Sequence, residues 1–414
     1  MAKSLIPRPI FLAFQPAYHY LLAGLGALYY GFPSRRLYVV GVTGTKGKTS
    51  TTELVSAILE EAGFRVALAN TNRFTIAGQS EKNLTKHSML GRTRLQHFLR
   101  KAVDAGCTYA VIEMTSEGAR QFRHAFIDLD ALLFTNLSPE HIESHGSYAK
   151  YAEAKLNLAR ALERGDPKEH TIVANRDDAE GSRFLATRVG VKCPYGVADA
   201  RPFTTNPKGS DFIWREVEMH LALPGEFNIL NALAAATFAE SRDIAPEVIQ
   251  AALGKFTLVP GRMQRIDEGQ DFTVIVDYAH TADSLEQSFT VYAGIKKICL
   301  FGSAGGGRDT AKRAVMGAVA DKHCDHIILT EDDPYDESAE AIAADIARGI
   351  RNRPYEFILN RRTAIQKAFS MAEKGSVVFI SGKGDDPYIM GPKGARIPWS
   401  DAKVAHEELK RITA

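Results

Sequence analysis

Residues 41–52, GVTGTKGKTSTT, bring glycine, lysine and hydroxyl side chains together in the order expected of a phosphate-binding loop. The segment predicts a strand end, a loop and the start of a helix. Backbone N–H groups of Gly44 to Lys48 could cradle phosphate oxygens, and the Lys48 ammonium would add a positive charge. The Thr49 hydroxyl could ligate Mg²⁺. The loop departs from the usual pattern at Val42, where glycine is expected, so a turn that only joins strand to helix remains open.

Candidate metal ligands follow farther along the chain. Glu113 ends the predicted strand YAVIEM, where its carboxylate could reach a metal above the loop. His141 and His145 lie in the loop-to-helix segment FTNLSPEHIESHGSYAKYAEAK, which also contains Lys155. Magnesium prefers oxygen ligands, so chemistry alone does not favour a histidine. A lone glutamate at a strand end is more often simply solvated. These residues by themselves neither establish nor exclude a metal site.

The elements around these residues alternate between strand and helix. Such alternation predicts an α/β fold in which parallel sheets are covered by helices on both faces. The helical pattern breaks at Pro260 and Gly261, after which a second alternating unit begins. We therefore predict a short apolar segment over residues 1–36, a central domain with the phosphate loop and a parallel sheet over 37–258, and a Rossmann-like α/β C-terminal domain over 259–414. Polar, glycine-rich segments follow the strands repeatedly, as in sheets whose ligands bind at the carboxyl ends of strands.

The bulk composition describes an ordinary globular protein. The 414 residues include 45% hydrophobic and 24% charged side chains, with a formal net charge of +2. No basic stripe is interleaved with aromatic residues, so nucleic acid is not an expected partner. The four cysteines form no CxxC pair, which argues against a zinc ribbon and favours reduced thiols in a cytoplasmic protein.

The N-terminal segment PIFLAFQPAYHYLLAGLGALYYGFP is apolar but is interrupted by Gln15, Pro16 and His19. Its cleanest run is shorter than a membrane span requires, and no cleavage site follows a basic start, so neither a membrane span nor a signal peptide is expected. A helix packed on the following domain is the favoured interpretation. The alternative is a helix that makes a peripheral contact with a membrane surface or with a partner protein.

Several longer motifs occur in order between the first predicted strand and the C-terminus: GVTGTKGKTSTT, FTNLSPEHIESHGSYAKYAEAK, GEFNILNALAA, VPGRM, VDYAHT, FGSAGGGRDTAKR and SGKGDD. Through them the chain resembles the Mur ligase family, the ATP-dependent ligases that add amino acids to the peptidoglycan precursor. It is most similar to the members that add the third residue, the UDP-N-acetylmuramyl-tripeptide synthetases. One motif would be weak evidence, whereas the ordered set is strongly specific.

The resemblance implies roles for residues that match the family's motifs by position. The implied nucleotide-binding residues are Gly44, Thr45, Lys46, Gly47, Lys48, Thr49, Ser50, Asn136, Asn175, Asn228, Arg262, Asp277, Tyr278 and His280. The implied metal ligands and supports are Thr49, Glu113, His141 and Lys155, of which Lys155 matches a lysine that family members carry as a carbamate. The implied catalytic residues are Lys48, Lys155, His141, Arg308 and Lys312. For Asp277 and His280, packing at the domain hinge is an equally favoured alternative.

The resemblance also implies the reaction. ATP, with Mg²⁺, would phosphorylate an acceptor carboxylate, and the amine of an amino acid would then capture the acyl phosphate. Phosphoryl transfer needs positioning and charge neutralisation more than a protein nucleophile, and the sequence offers no convincing Ser–His or Cys–His arrangement. The expected substrates are a muropeptide-like acceptor and an amino acid. Closure of two lobes at a hinge near residues 259–262 would exclude water.

Two departures from the family pattern concern the substrates. The family's N-terminal domain, which holds the uridine end of the precursor, has no counterpart in residues 1–36, so the resemblance supports ligation better than UDP binding. Diaminopimelate-adding members carry Asp-Asn-Pro-Arg where this chain has DDPY at residues 332–335. Without that arginine, the carboxylates of Asp332 and Asp333 favour a substrate with a cationic side-chain end, such as lysine. Asp386 occupies the position of a glutamate that reads the incoming amino acid.

Three other functions remain open on the sequence alone. A folylpolyglutamate-synthetase-like glutamate ligase is disfavoured by the GKT loop and the DYAHT motif. A non-ligating subunit of an amidotransferase complex would be expected to carry a cysteine zinc ribbon, which this chain lacks. A P-loop ATPase that only switches conformation would turn over ATP without needing an amino acid.

Overall fold

The computed structural model describes residues 8–140, 142–164 and 167–413. The described chain forms two compact units, and both are built from strands and helices, which confirms the predicted α/β class. Unit 1 takes in the chain up to residue 203 together with 211–221 and 226–256. Unit 2 takes in residues 204–210, 222–225 and the chain from 257 onward. The division is therefore less simple than a single cut at residue 259.

The main sheet of unit 1 has eight strands in the order β4-β3-β2-β5-β1-β6-β7-β8. The strands are β1 (Tyr38–Thr43), β2 (Val66–Ala69), β3 (Arg73–Ile76), β4 (Gln79–Lys82), β5 (Tyr109–Glu113), β6 (Ala131–Phe134), β7 (Thr171–Asn175) and β8 (Val191–Tyr195). All pairings from β2 to β8 in that order are parallel, while β3 and β4 add an antiparallel edge. The carboxyl ends of β1, β5, β6 and β7 consequently share one edge of the sheet.

The helices of unit 1 are α1 (Arg8–Tyr29), α2 (Lys48–Glu61), α3 (Arg92–Asp104), α4 (Ser116–Arg120), α5 (Ile142–His145), α6 (Tyr148–Ala161), α7 (Gly181–Leu185), α8 (Glu226–Glu240) and α9 (Pro246–Lys255). Helix α8 packs closely against α2. Its sequence, EFNILNALAAATFAE, is apolar or small at most positions, as expected for a helix buried on several sides. The strand and helix interiors meet in one apolar core around Leu132, Phe134 and Leu158.

A small sheet of order β11-β10-β9 follows the main sheet in the chain. Its strands are β9 (Phe203–Asn206), β10 (Gly209–Trp214) and β11 (Val217–Leu221). This sheet was not predicted, because the sequence motifs lie elsewhere.

The sheet of unit 2 has six strands in the order β12-β13-β17-β14-β15-β16, all parallel except the edge strand β12. The strands are β12 (Gln264–Ile266), β13 (Thr273–Asp277), β14 (Lys297–Phe301), β15 (His326–Leu329), β16 (Tyr355–Phe357) and β17 (Val377–Ser381), with a separate pair β18 (Tyr388–Met390) and β19 (Arg396–Pro398). The helices are α10 (Ala282–Thr290), α11 (Ala311–His323), α12 (Ala339–Ala347), α13 (Arg361–Met371) and α14 (Asp401–Thr413).

The cysteines correct one expectation. Cys299 on β14 and Cys324 at the end of α11 form a disulfide, so the prediction of reduced thiols is wrong for this pair. Cys107 and Cys193 are free. The two partners lie 25 residues apart and meet only because α11 returns the chain to the end of the sheet, which no local CxxC test detects. Among the described residues, no helix is both long and apolar enough to cross a membrane.

Candidate functional site

The predicted phosphate loop lies between the end of β1 and the start of α2. Gly44 and Gly47 have φ values of 152° and 80°, in the region that disfavours side chains. A Cβ on Gly44 would lie 1.9 Å from Thr135 Oγ1, and one on Gly47 would lie 2.2 Å from Asn231 Oδ1. Val42 is a buried residue within β1, so the loop opens only after it. The loop therefore needs glycine at 44 and 47 and tolerates valine at 42.

The segment after β6 holds the backbone of the loop in place. Asn136 O accepts a hydrogen bond from Thr45 N at 2.8 Å, and Asn136 Oδ1 accepts one from Lys46 N at 2.9 Å. Thr135 Oγ1 donates to Lys46 O at 2.7 Å, and Thr45 Oγ1 shares a hydrogen bond with Tyr151 OH at 3.0 Å. Two of the N–H groups predicted to cradle phosphate thus already bond to Asn136. Asn136 therefore holds the loop in shape through its backbone oxygen and its side chain.

Two lysine side chains converge on the first residue of this loop. Lys48 Nζ donates to Gly44 O at 3.1 Å and to Thr45 O at 2.8 Å, and Lys155 Nζ donates to Gly44 O at 2.7 Å. Burial lowers the pKa of Lys155 well below its usual value, and the charge of Lys48 lowers it further, whereas Glu140 and Glu113 act in the opposite direction. Lys155 therefore adjoins the phosphate loop as a buried amine whose charged form is disfavoured by burial.

The Thr49 hydroxyl and the Glu113 carboxylate form the predicted pair of oxygen ligands. Thr49 Oγ1 donates to Glu113 Oε2 at 3.0 Å, and the same oxygen accepts from Thr71 N at 3.0 Å and Thr71 Oγ1 at 2.9 Å. Thr71 was not predicted from the sequence, because it follows β2 and belongs to no recognisable motif. His141 lies outside the described residues.

These oxygens fit a magnesium ion. The described part of the chain holds no group of three or more His, Cys, Asp or Glu side chains that could bind a metal. Magnesium usually takes one or two protein oxygens and completes its shell with phosphate and water, so a single carboxylate beside a hydroxyl meets its preference. Thr49 and Glu113 are therefore suited to Mg²⁺ in the presence of a nucleotide.

Three asparagines and a serine surround the loop. Asn175 Nδ2 donates to Thr135 O at 3.0 Å and its Oδ1 accepts from Asp177 N at 3.0 Å, so the side chain ties the ends of β6 and β7 together. Asn228 Oδ1 accepts from Asn231 Nδ2 at 3.2 Å. Asn231 was missed in the sequence, although it lies in the GEFNILNALAA motif, and it contacts both Gly47 and α2. Ser50 is buried in the first turn of α2.

The predicted site residues of unit 2 form a second cluster. The Arg262 guanidinium lies 3.9 Å from the centre of the Tyr278 ring, and the Tyr278 and His280 rings pack edge to face at 4.7 Å. Lys312 Nζ donates to His280 O at 3.0 Å. Arg308 is exposed in the loop before α11. Of the predicted nucleotide-binding and catalytic residues in unit 2, Arg308 lies at the surface, whereas Arg262, Tyr278, His280 and Lys312 lie together.

Asp277 has a structural role in this cluster. Its Oδ1 accepts hydrogen bonds from Met263 N at 3.1 Å and Tyr278 N at 2.9 Å, and its Oδ2 accepts from Ser288 Oγ at 2.5 Å. Both carboxylate oxygens therefore fix the backbone and α10, as the packing alternative predicted.

Three carboxylates surround one buried ammonium in unit 2. Lys383 Nζ lies 2.7 Å from Asp333 Oδ1, 3.3 Å from Asp386 Oδ2 and 3.5 Å from Asp332 Oδ1. Burial alone would lower the pKa of Lys383, but the three carboxylates outweigh it and raise that pKa above its usual value. Lys383 was not predicted from the sequence: Asp386 lies three positions away, but Asp332 and Asp333 lie about 50 positions away and meet it only in the folded chain.

Comparison with known proteins adds a family pattern to this geometry. The model of the Mur ligase middle domain matches residues 42–239, and that of the Mur ligase, glutamate ligase domain matches residues 261–384. A UDP-N-acetylmuramoyl-L-alanyl-D-glutamate–2,6-diaminopimelate ligase of Syntrophomonas wolfei is 36% identical, over 94% of this chain and 81% of its own length. A UDP-N-acetylmuramyl-tripeptide synthetase of a Roseiflexus species is 38% identical, over 94% of this chain and 82% of its own.

Solved structures agree with the fold. A UDP-N-acetylmuramoyl-L-alanyl-D-glutamate–2,6-diaminopimelate ligase superposes with a TM-score of 0.62 at 28% identity, covering 91% of this chain and 79% of that one. A Mycobacterium tuberculosis folylpolyglutamate synthase complexed with ADP and AMPPCP superposes with a TM-score of 0.71, covering 88% and 93%. Its identity is only 17%, so that likeness concerns the fold alone.

Proposed function

Because this chain belongs to the Mur ligase family and is an ATP-dependent carbon–nitrogen ligase of peptidoglycan precursor synthesis, we propose that it extends the peptide of a UDP-N-acetylmuramoyl-L-alanyl-D-glutamate-like acceptor by one amino acid. The observation that carries this proposal is the convergence of Lys48, Lys155 and the Thr49–Glu113 pair on one phosphate loop. The need for ATP favours the cytoplasm as the compartment.

The reaction proceeds in two bond exchanges. An oxygen of the acceptor carboxylate attacks the γ-phosphorus of ATP, the bond to ADP breaks, and an acyl phosphate forms. The amine of the amino acid then attacks the acyl carbon, the carbon–oxygen bond to phosphate breaks, and the nitrogen loses a proton. The barrier of the first exchange is set mainly by the negative charge on the transferring group. Lys48 at the loop is the side chain placed to neutralise that charge.

Thr49 and Glu113 are the residues that would hold Mg²⁺, with His141 added by the family resemblance. The ion would neutralise phosphate charge when bound. Thr71 and Thr49 both donate to the Glu113 carboxylate, which keeps that oxygen oriented before nucleotide arrives.

Lys155 is proposed to carry a carbamate. A neutral lysine nitrogen adds to the carbon of CO₂, forms a nitrogen–carbon bond and releases a proton, and the product is an anion. The burial that lowers the pKa of Lys155 supplies the neutral amine that this addition needs. A negative group at this position would also pair with Lys48, which in the unmodified chain donates to the same carbonyl.

The added amino acid is proposed to have a cationic side-chain end. Asp332, Asp333 and Asp386 lie together around Lys383, and Tyr335 stands where diaminopimelate-adding members carry arginine. Lysine meets both conditions, since its side chain ends in an ammonium and has no distal carboxylate.

A product screen tests the proposal. The full chain would be incubated with ATP, Mg²⁺ and the acceptor with or without its UDP group, together with lysine, diaminopimelate or no amino acid. Phosphate release should require both an acceptor and an amino acid, and mass spectrometry should detect the acceptor plus the amino acid minus water. Phosphate release that needs neither substrate would support a conformational ATPase and overturn the ligase assignment.

A further inference from the structure

Helix α1 has two faces of different character. Its inner face packs on the rest of unit 1, and Ala23 and Ala27 on this face are buried. Gly24 allows a close approach, since a Cβ there would lie 3.1 Å from the ring of Phe126, and the Tyr20 ring lies 4.8 Å from the same ring. This face confirms the interpretation that the N-terminal segment packs as a helix on the following domain.

The outer face carries a continuous row of exposed apolar side chains. Phe14, Tyr18, Leu21, Leu25 and Leu28 have 69%, 58%, 65%, 62% and 66% of their surface exposed. Their spacing alternates between four and three residues, which places them in one line along the helix. At 1.5 Å per residue the line is about 20 Å long. Isolated apolar residues on a surface need no explanation, but a contiguous row marks an interaction site. This row is called the apolar stripe below.

Positive charge borders the apolar stripe. The chain contains no acidic residue before Glu53. Helix α3 lies beside α1, since Gly26 approaches Thr93 and the Tyr30 and His97 rings are 5.3 Å apart. The charged residues of α3 are four cations and one anion: Arg92, Arg94, Arg100, Lys101 and Asp104. Although Arg100 pairs with Asp104, α3 therefore brings a net positive charge beside the apolar stripe.

We propose that the apolar stripe binds peripherally to the surface of an anionic lipid bilayer. Leucine and phenylalanine would enter the boundary between headgroups and acyl chains, tyrosine would lie at the level of the headgroups, and the cations of α3 would pair with anionic lipids. Binding would be parallel to the surface, because none of the helices described here is long and apolar enough to span.

A second copy of the chain fits this face less well. From Pro9 to Tyr29, α1 contains no Asp, Glu, Lys or Arg, so it lacks the flanking charge pairs that set the register of a helix pair. Pairing two copies along the apolar stripe would also bring two cationic α3 helices together, at an electrostatic cost. An anionic surface has no such penalty.

Vesicle co-sedimentation of the full chain tests the proposal. Vesicles of phosphatidylcholine alone would be compared with vesicles containing about 30% phosphatidylglycerol, at low and high salt. We expect binding to the anionic vesicles that weakens with salt. Leu21→Glu combined with Leu25→Glu should lower the partition coefficient at least about tenfold. Arg94→Glu combined with Lys101→Glu should lower binding to anionic vesicles only. Ile412→Glu is the control, since Ile412 is an apolar residue with 56% of its surface exposed on α14 and is not part of the stripe.

Two results would overturn the proposal. One is equal sedimentation of the wild-type chain with and without vesicles. The other is a concentration-dependent dimer in analytical ultracentrifugation that the Leu21→Glu, Leu25→Glu variant abolishes, without vesicle binding by the wild type. Circular dichroism and ligase activity in solution should be unchanged in the stripe variants, because the stripe is exposed and takes no part in the site. Loss of vesicle binding and loss of ligation can therefore be distinguished.

Discussion

Lys48 and Lys155 donate hydrogen bonds to the same carbonyl oxygen, that of Gly44, at 3.1 and 2.7 Å. They lie 107 positions apart in the chain, on α2 and α6, and meet only at the loop between β1 and α2. Burial lowers the pKa of Lys155, and the neighbouring charge of Lys48 lowers it further. This relationship links the phosphate loop to the residue proposed for carbamylation.

Replacing Lys48 with alanine should abolish ATP turnover. The phosphate charge would lose its principal side-chain partner, and the rate should fall at least about a hundredfold. Phosphate release in the presence of both substrates measures the effect. Lys150→Ala, an exposed lysine on α6, is the control and should retain activity. Full activity of the Lys48 variant would reject the phosphate-loop assignment.

Replacing Lys155 with alanine should inactivate the enzyme in a way that small anions reverse. Formate or acetate would occupy the space left by the side chain and supply the negative charge that the carbamate provides. Activity should therefore rise with the concentration of the added carboxylate, while Lys48→Ala should not respond. If carboxylates restore nothing, the carbamate role has no support.

Replacing Gly47 with alanine should destabilise the protein by more than the strain of its positive φ alone. A Cβ would lie 2.2 Å from Asn231 Oδ1, and the positive φ adds roughly 1 kcal/mol of strain. Gly63→Ala is a matched control, because Gly63 has a φ of 86° with no heavy atom within 4 Å of its added Cβ. Chemical denaturation should place the Gly47 variant below the Gly63 variant in stability. Equal losses would mean that the contact with Asn231 relaxes freely.

Replacing Lys383 with methionine should destabilise unit 2 by roughly 3–5 kcal/mol, since three carboxylates would lose their buried counter-ion. The loss should be smaller at acidic pH, where the carboxylates can take up protons. Thermal unfolding at two pH values checks both points. Lys367→Met, an exposed lysine on α13, should unfold like the wild type. An unchanged melting temperature in the Lys383 variant would contradict the ion cluster.

His124 should make the protein less stable in acid. Burial, aided by the charge of Arg164, lowers the pKa of His124 from 6.5 to about 4. The unfolded chain therefore takes up a proton before the folded chain does, and stability present above pH 6.5 is lost as the pH falls toward 4. The loss from this group is about 2 kcal/mol by pH 5. Urea denaturation measures the free energy of unfolding at pH 7.5 and at pH 5. The decrease between the two pH values should be about 2 kcal/mol smaller in His124→Gln than in the wild type.

Much of the fold follows from local patterns in the sequence. The strand end before the phosphate loop and the strand at 109–113 were predicted, and both are apolar because strands buried on both faces of a parallel sheet need such residues. The short hairpin β3–β4 and the three-stranded sheet were not predicted. Their residues are mostly polar or alternate weakly, and pairing with neighbouring strands decides their conformation.

The sequence by itself determined the chemistry of the phosphate loop, since the glycines, Lys48 and Thr49 lie within a few residues and local geometry suffices. Only the tertiary structure decided which distant groups join it: Thr71 on Glu113, Asn231 against Gly47, and Lys383 among three aspartates. Such partners are brought together by the order of strands in the sheets. A sequence pattern records neighbours along the chain, whereas hydrogen bonds and ion pairs depend on distances in space that chain folding alone sets.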